Sequence, residues 1–461
     1  MNDYSHSNKI ICPQEMQLMR DKLPHELAII KLNRDQITNL QEIRLREMLA
    51  YAKKHSSWYA ERLRHIDPKN FKLTDLQQLP IMTKNDLMTN WNDIVTNKKL
   101  KYAEASAFLM QQSDFELLHG CHLFASGGSS GRRGLFVWDP NELATILSAW
   151  YRYQYRDEFS GANEQDHRLA VSIASVKPVH LGPALFAAAI LSSMQTQALS
   201  AATAIDELVA QLNQWQPTYL NGYPSVITRL ASQAIKGNLS ITPRRMLLGS
   251  EPLLTRMINI IKQAWPDILI TNIWGATDTG AHAESCDYSE NHLHINEDLV
   301  IIEPVDSNNN LVAANQKTSK VLVTNLHRQS MPVFRYEIDD CIVVSDKMCA
   351  CGSNFKLIKS ISGRHEENFI YSHIVVVPDV VEDIIMPEAG IDEYQVFQTK
   401  TGVKILLVPE KHATINAEKI QYNLTLKLQQ LGLKDPSVEI NIIHELFRHP
   451  ETNKLKRFHK L

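Results

Sequence analysis

A chain of 461 residues, 44% hydrophobic and 21% charged, is an ordinary globular protein too large for one compact core, so two or more domains are expected. A net charge of −3 without any long basic run gives no electrostatic reason to expect nucleic acid. Six cysteines at this length do not make a disulfide framework, and no stretch is apolar for long enough to span a bilayer, so no membrane partner is expected.

The N-terminal MNDYSHSNKIICPQEM lacks the basic and apolar regions of a secretory signal, and a reducing, cytoplasmic setting is expected. QITNLQEIRLREMLAYAKK (36–54) places Ile37, Leu40, Leu45, Met48, Leu49 and Ala52 near a 3.6-residue period, which predicts a helix. In LTDLQQLPIMTKNDLMTNW (73–91), Thr83 stands where it would cap the helix that follows. FASGGSSGRRG (124–134) is a Gly- and Ser-rich turn running into the apolar LFVW. Such a turn can wrap an anion, because glycines let the backbone approach and successive N–H groups point inward. Taken alone, such a loop is more often a mobile turn, and it does not match the P-loop pattern.

From about residue 120 onward, short β-like runs alternate with helical ones: RLAVSIA (168–174), TYLNGY (218–223), RRMLLGS (244–250), DILITNIWG (267–275) and KVLVTNL (320–326). Interleaved strands and helices predict an α/β architecture of layered sheets. The apolar LGPALFAAAILSSM (181–194) carries a Gly-Pro pair and predicts a buried helix. EYQVFQ (393–398) and VKILLVP (403–409) predict a hairpin around Thr401 and Gly402, AEKIQYNLTLKLQQLG (417–432) a helix ending at a glycine, and SVEINIIHEL (437–446) a strand. The fold expected is a large α/β domain over residues 1–362 and a small α+β domain over 363–461. The tail ETNKLKRFHK (451–460) reads as flexible.

Three further stretches carry candidate chemistry. NIWGATDTG (272–280) ends a strand with an aromatic plate, Trp274, a hydroxyl, Thr277, and a carboxylate, Asp278. The plate suits a purine base and the carboxylate suits Mg²⁺ on phosphates. FRYEIDD (334–340) ends an apolar segment in paired acids, which can bind the two hydroxyls of a ribose. ISGRHEENFI (361–370) falls at the domain boundary.

Together these stretches resemble the adenylate-forming enzymes, and more closely their phenylacetate–coenzyme A ligase branch, from about residue 55 to the C-terminus. SGGSSG (126–131) stands where that family has its phosphate loop, GSEPL (249–253) resembles the adenine-contacting segment, and WGATD (274–278) the aromatic-Gly-x-Thr-acid motif. AESCDYSENHLHINED (283–298) resembles a stretch particular to the branch. TNL…MPVFRYEIDD (324–340) resembles the motif ending in the ribose-binding aspartate, GRHEENFIYSHIVVVPDVVE (363–382) the hinge motif, and ETNKLKRF (451–458) the closing motif with the catalytic lysine.

The resemblance implies the adenylate-forming fold with a mobile C-terminal domain and a two-step reaction. A carboxylic acid and Mg-ATP give an acyl-adenylate and pyrophosphate, and the acyl group then passes to coenzyme A. Its implied catalytic residues are Lys454, Thr277 and Asp278, with Asp278 on Mg²⁺. Nucleotide contacts fall to Ser126, Gly127, Gly128, Ser129, Ser130, Gly131, Ser250, Glu251, Pro252, Trp274, Gly275, Ala276, Thr277, Asp340 and Arg364. The acid pocket would lie near NGYPS (221–225) and VHLGPALF (179–186), whose Tyr223, Phe186 and His180 suit an aryl or apolar acid. Homodimer formation and delivery to a carrier protein are left open.

The sequence also departs from the family. Arg133 and Gly134 replace a Pro-Lys pair, Trp274 a tyrosine, Asp278 a glutamate, and Ser372-His373 an Arg-Gly pair in the hinge motif. The last change would crowd the thiol channel and keeps transfer to another acceptor in view. A third reading, an inactive nucleotide-binding scaffold, is opposed by Asp278, Asp340 and Lys454 all being in place. Finally, Cys349 and Cys351 in CACG, with Cys286 and His292 of CDYSENHLH, offer a tetrahedral donor set for a structural Zn²⁺; that the two pairs meet is implied by the resemblance. Cys12, Cys121 and Cys341 read as packing residues.

Overall fold

The computed structural model of the chain describes residues 13–112, 115–126, 134–159, 169–175, 180–181, 195–289, 292–364, 367–372, 374–385, 387–388, 390–410, 413–448 and 454–461. Two compact units divide it. One comprises Met1–Ile338 with Ile342–Ile361, and the other Asp339–Cys341 with Ser362–Leu461.

In the first unit, the helix Arg34–His55 starts on a capping box in which Asn33 and Gln36 exchange side-chain and backbone hydrogen bonds. It buries Ile37, Leu45, Met48, Leu49 and Ala52 of the stripe its periodicity predicts, while Leu40 is only partly buried. A second capping box, between Thr83 and Asp86, opens the short helix Lys84–Thr89. Strands β1 (His122–Ala125) and β2 (Leu135–Trp138) then form a buried antiparallel hairpin around the loop 126–134.

The main sheet follows. Strands β3 (Leu169–Ala174), β4 (Gln195–Ser200), β5 (Tyr219–Gly222), β6 (Arg245–Leu248) and β7 (Leu269–Ala276) are parallel, side by side in the order β4-β3-β5-β6-β7. Parallel neighbours need crossovers, and the amphipathic helices Ile205–Trp215, Pro224–Ile235 and Thr255–Ala264 supply those after β4, β5 and β6. Strands β8 (Gly280–Ser285) and β9 (Leu293–Ile295) continue the sheet antiparallel. Strands β10 (Val300–Val305), β11 (Lys320–Asn325) and β12 (Tyr336–Ile338) make a separate three-stranded antiparallel sheet. With β13 (Asp340–Val344) and β14 (Leu357–Arg364), the main sheet reaches nine strands in the order β13-β14-β9-β8-β7-β6-β5-β3-β4. This is the layered α/β architecture the sequence predicts. Of the predicted buried helix 181–194, all but Leu181 lies outside the described residues.

In the second unit, β15 (Phe369–Tyr371) and β16 (Ile374–Val376) form a hairpin, and β17 (Ile391–Gln398), β18 (Gly402–Pro409), β19 (Ser437–Ile442) and β20 (Phe458–His459) a sheet in the order β19-β18-β17-β20. The helix Ala417–Gln430 buries Ile420, Leu424 and Leu428 in a core shared with Val396, Ile405 and Leu407. One expectation is overturned. Residues 454–461 are no loose tail: Leu455 and Phe458 are buried, and β20 pairs parallel with β17. Among the described residues, no helix is long and apolar enough to cross a membrane.

Candidate active site and metal centre

In an open parallel sheet, ligands bind beyond the carboxyl ends of the strands, because the connecting loops converge there. Ser175 follows β3, Tyr223 follows β5, Ser250 and Glu251 lie beyond β6, and Thr277 and Asp278 follow β7. These ends interlock. The Ser175 N–H donates to the Tyr223 hydroxyl at 3.0 Å, and the Ser225 N–H donates to the Glu251 carboxylate at 3.1 Å. Burial pushes the Tyr223 phenol well above its ordinary range and keeps it neutral. Ser250 is exposed and holds a left-handed backbone (φ +69°), a conformation an L-residue adopts at some cost. Pro252 beside it is exposed.

The turn Thr277–Thr279 joins β7 to β8 through a register shift between Trp274 and Gly275. A Cβ at Gly275 would stand 2.5 Å from the Gly280 carbonyl oxygen and 2.7 Å from the Trp150 ring, so only glycine fits this close approach. Trp274 is buried, edge-to-face on His282 with centroids 4.5 Å apart, while Gly275 is exposed and Ala276, Thr277 and Asp278 are partly exposed. The Asp278 carboxylate accepts a hydrogen bond from the Tyr336 hydroxyl at 3.0 Å. The turn's backbone is held by buried groups: Trp138 Nε1 donates to the Thr277 carbonyl at 3.1 Å, and Arg328 donates to the Asp278 carbonyl. Arg328 also donates to the Val137 carbonyl and lies 4.0 Å from the Trp138 ring centroid.

At the β1–β2 hairpin, only the ends of the Gly/Ser-rich loop are described; Gly127, Gly128, Ser129, Ser130 and Gly131 lie outside the described residues. The Ser126 N–H donates to the Gly134 carbonyl, and the Ser126 hydroxyl oxygen accepts from the Gly134 N–H and from Lys84 Nζ, each at 3.0 Å. A Cβ at Gly134 would sit 2.5 Å from the Phe136 ring and 2.9 Å from that hydroxyl. His180 reaches the same hairpin, donating from Nδ1 to the Ala125 carbonyl at 3.2 Å. Phe186 lies outside the described residues.

Asp340 begins β13 and Arg364 ends β14, both in stretches partly grouped with the second unit. Asp340 is half-buried. Lys454 is half-buried in the segment leading into β20, where Val396 donates to the Arg457 carbonyl at 2.7 Å and Gln395 to the Lys456 carbonyl at 2.9 Å.

The cysteines do meet, with one correction. The ring beside them is that of His294, not His292, and the donor atoms of Cys286, His294, Cys349 and Cys351 all lie within 4.8 Å of one another. Cys286 and Cys349 sulfurs are 3.6 Å apart, and His294 Nε2 is 3.4 Å from Cys286 Sγ and 3.5 Å from Cys351 Sγ. Tetrahedral zinc with ordinary Zn–S and Zn–N bonds separates its donors by about 3.5–3.8 Å, so the set fits zinc. His294 is central in β9, paired with Glu284 on β8 and Leu357 on β14, whereas His292 precedes the strand. Gly352, at φ +83°, turns the chain so that its N–H donates to the Cys349 carbonyl and closes the knuckle. Tyr153 stacks on the His294 ring at 4.6 Å.

No family model matches the chain. Two curated proteins are similar over most of their length. Protein CapK of Staphylococcus aureus is 23% identical over 402 residues, 84% of this chain and 82% of that protein. Phenylacetate-coenzyme A ligase of Thermus thermophilus is 23% identical over 381 residues, 80% of each chain. Among solved structures, 2-hydroxyisobutyryl-CoA ligase in its postadenylation state, in complex with R3-HIB-AMP, superposes with a TM-score of 0.71 at 16% identity, covering 94% of this chain and 90% of that one. In fold and along most of its length the chain is similar to the adenylate-forming enzymes, the superfamily that these relatives and solved structures indicate.

Proposed function

We propose that this protein is an AMP-forming acid–thiol ligase that activates an aryl or apolar carboxylic acid with ATP and transfers the acyl group to coenzyme A. The observation that carries this is the clustering of Ser126, Ser250, Glu251, Thr277 and Asp278 beyond the carboxyl ends of one parallel sheet or on the hairpin beside it, in the motif order of the superfamily. The Thermus relative is a phenylacetate-coenzyme A ligase, and the 2-hydroxyisobutyryl-CoA ligase has also been solved with 2-HIB-AMP and CoA together.

In the first half-reaction a carboxylate oxygen attacks the α-phosphorus of ATP, forming the acyl–phosphate mixed-anhydride bond while the bond to pyrophosphate breaks. The chain's part is to position the two reactants and stabilise charge on the phosphates. Asp278 fits a Mg²⁺ ligand: Tyr336 engages one of its oxygens, and the other has no hydrogen-bond partner among the described residues. Bound there, Mg²⁺ would neutralise the departing pyrophosphate. Lys454, on the small unit, stabilises charge at the α-phosphate. In the second half-reaction the coenzyme A thiolate attacks the acyl carbon and AMP leaves. Asp340 anchors the ribose hydroxyls, and Asp340→Ala is expected to weaken ATP binding about tenfold or more. Unchanged nucleotide affinity by equilibrium titration would remove it from that role.

A second acceptor, such as a carrier protein or an amine, is favoured by one observation. Ser372 holds φ +52° at the tight turn between β15 and β16, where the family's Arg-Gly pair is replaced. ATP–pyrophosphate exchange against a panel of acids, without coenzyme A, tests the adenylating half; acid-dependent exchange is expected, and silence with ATP still bound removes the proposal. Coenzyme A-dependent AMP release at the rate of adenylate formation then separates the two acceptors.

We also propose that Cys286, His294, Cys349 and Cys351 hold a structural Zn²⁺ that ties the β8–β9 turn to the segment before β14. Four protein donors leave no position for substrate. Protein purified without added zinc is expected to carry it near stoichiometrically by elemental analysis, and Cys351→Ser to lose it. A metal content far below stoichiometry in the unaltered chain counts against the site.

A further inference from the structure

We propose that Arg328 is the positioning residue for Asp278: from the interior it fixes the turn that carries this carboxylate, so that Mg²⁺ on the nucleotide meets a preset oxygen. The inference deepens the adenylation reading and rests on it. Two observations carry it, the way the turn is tied down and the charge of one of the ties.

The turn gives three successive carbonyls to buried side-chain donors. Trp138 Nε1 holds that of Thr277 at 3.1 Å, Arg328 Nη1 that of Asp278, and Asn325 Nδ2 that of Thr279 at 2.9 Å. With these carbonyls tied, the peptide planes of the turn are fixed, and so is the direction in which the Asp278 side chain leaves the backbone. The Tyr336 hydroxyl then engages one carboxylate oxygen at 3.0 Å. Arg328 links the ties to one another. Its Nε and Nη2 donate to the Val137 carbonyl at 3.0 and 2.7 Å, and its guanidinium lies 4.0 Å from the Trp138 ring centroid. The Asn325 side-chain oxygen accepts from the His327 and Arg328 N–H groups at 3.0 and 2.9 Å, which holds the backbone that carries Arg328.

The charge is what a purely structural tie does not need. Trp138 and Asn325 hold the neighbouring carbonyls as neutral donors. Arg328 is fully buried, and burial lowers its guanidinium from 12.5 to about 10, so it stays charged at neutral pH. Its hydrogen bonds go to two backbone carbonyls and the Met331 sulfur, and among the described residues no carboxylate forms an ion pair with it. Glu142 and Asp278 balance it only at longer range. Glu142 is moreover already engaged, by the N–H groups of Asp139, Gln329 and Ser330 and by the Ser330 hydroxyl. A buried charge without a direct partner is costly, and a neutral donor would close the turn without that cost. What the charge adds is a bond about twice as strong as a neutral one. It is placed on Asp278, the residue of the three whose side chain fits the metal.

The test compares the full-length chain with Arg328→Met and Arg328→Lys. ATP binding is followed by calorimetric titration at graded Mg²⁺ concentrations, and again with a chelator in place of Mg²⁺. ATP–pyrophosphate exchange with the active acid and melting by circular dichroism are measured alongside. Arg328→Met is expected to raise the Mg²⁺ concentration for half-maximal binding and exchange about ten- to hundredfold. ATP affinity in chelator and the KM for the acid should stay unchanged. Arg328→Lys, which can still donate one charged bond to the Asp278 carbonyl, should show a smaller rise, and it decides the matter if Arg328→Met does not fold. An arginine that only held the fold would lower melting without moving the Mg²⁺ requirement. Loss of its charge alone would lower that requirement, because a nearby cation repels Mg²⁺. An unchanged or lower requirement in a folded variant therefore overturns the inference, even if melting falls. Failure of the unaltered chain to bind ATP overturns it together with the adenylation reading. A raised requirement for ATP binding without exchange on any acid upholds the inference and removes the adenylation reading instead.

Discussion

Lys454→Ala is expected to lower adenylate formation by about 10³-fold or more while leaving ATP affinity within a few-fold. The reasoning starts from the charge that builds on the α-phosphate as the acid attacks, which a lysine stabilises only in the transition state, so that its loss appears in kcat and hardly in binding. Truncating Lys454 should spare the fold. It is half-buried, and the packing of its segment belongs to its neighbours Leu455 and Phe458, 6% and 3% exposed. Two measurements give the proposal its test: single-turnover pyrophosphate release for the first half-reaction, and thioester formation from preformed acyl-adenylate for the second. The first should collapse and the second survive. Loss of both in a chain that still melts normally would point to a role in positioning the whole small unit, and intact pyrophosphate release would remove Lys454 from the chemistry.

The parts of this architecture written locally were legible in the sequence. The helix Arg34–His55 declares itself by its stripe, and Thr83 by standing three residues before the Asp86 carboxylate that completes the box. Strands β3, β5, β6, β7 and β11 are short runs rich in apolar side chains, with ends only a few residues from the predicted ones. What the sequence hid was brought from afar. Lys84 is 42 positions from Ser126, and Tyr336 is 58 from Asp278, so no spacing rule connects either pair. Arg328 sits in HRQS, which reads as a polar loop, yet it is fully buried under Trp138 and the Asp278 turn. The choice between His292 and His294 was equally hidden. The two are a period-2 pair, and only the start of β9 at Leu293 decides which ring enters the sheet beside the cysteines. The C-terminal strand was missed because Leu455 and Phe458 alone carry its burial among charged neighbours, too short a pattern for a strand that forms by pairing with β17.

The largest stability effect is expected at Arg152, which no motif announced. Its guanidinium is fully buried and donates to Glu26 at 3.1 Å, Glu284 at 3.2 Å, Asp298 at 3.0 Å and the Asn296 side chain. Its carbon also lies 5.0 Å from the centroid of the Phe355 ring. Methionine fills much of the same space without the charge, so Arg152→Met would leave three buried carboxylates facing one another. Breaking a buried ion pair from one side costs about 3–5 kcal/mol, a large part of the total stability of a typical domain. The cost should depend on pH. Burial pushes the Glu26 carboxyl up from 4.5 to about 7, against the pull of Arg152. A carboxyl raised on folding binds its proton more tightly in the folded state. Its contribution to stability is therefore complete below about pH 4.5 and is lost as pH rises through about 7. Removing Arg152 removes the pull, raises Glu26 further and extends the loss to higher pH, at up to about 1.4 kcal/mol per pH unit. Urea unfolding should therefore show a wider gap between the unaltered chain and Arg152→Met at pH 8 than at pH 6, and adding Glu26→Gln should narrow it. A gap below about 1 kcal/mol, or one that is the same at both pH values, would mean that solvent or neighbouring groups already compensate the three carboxylates.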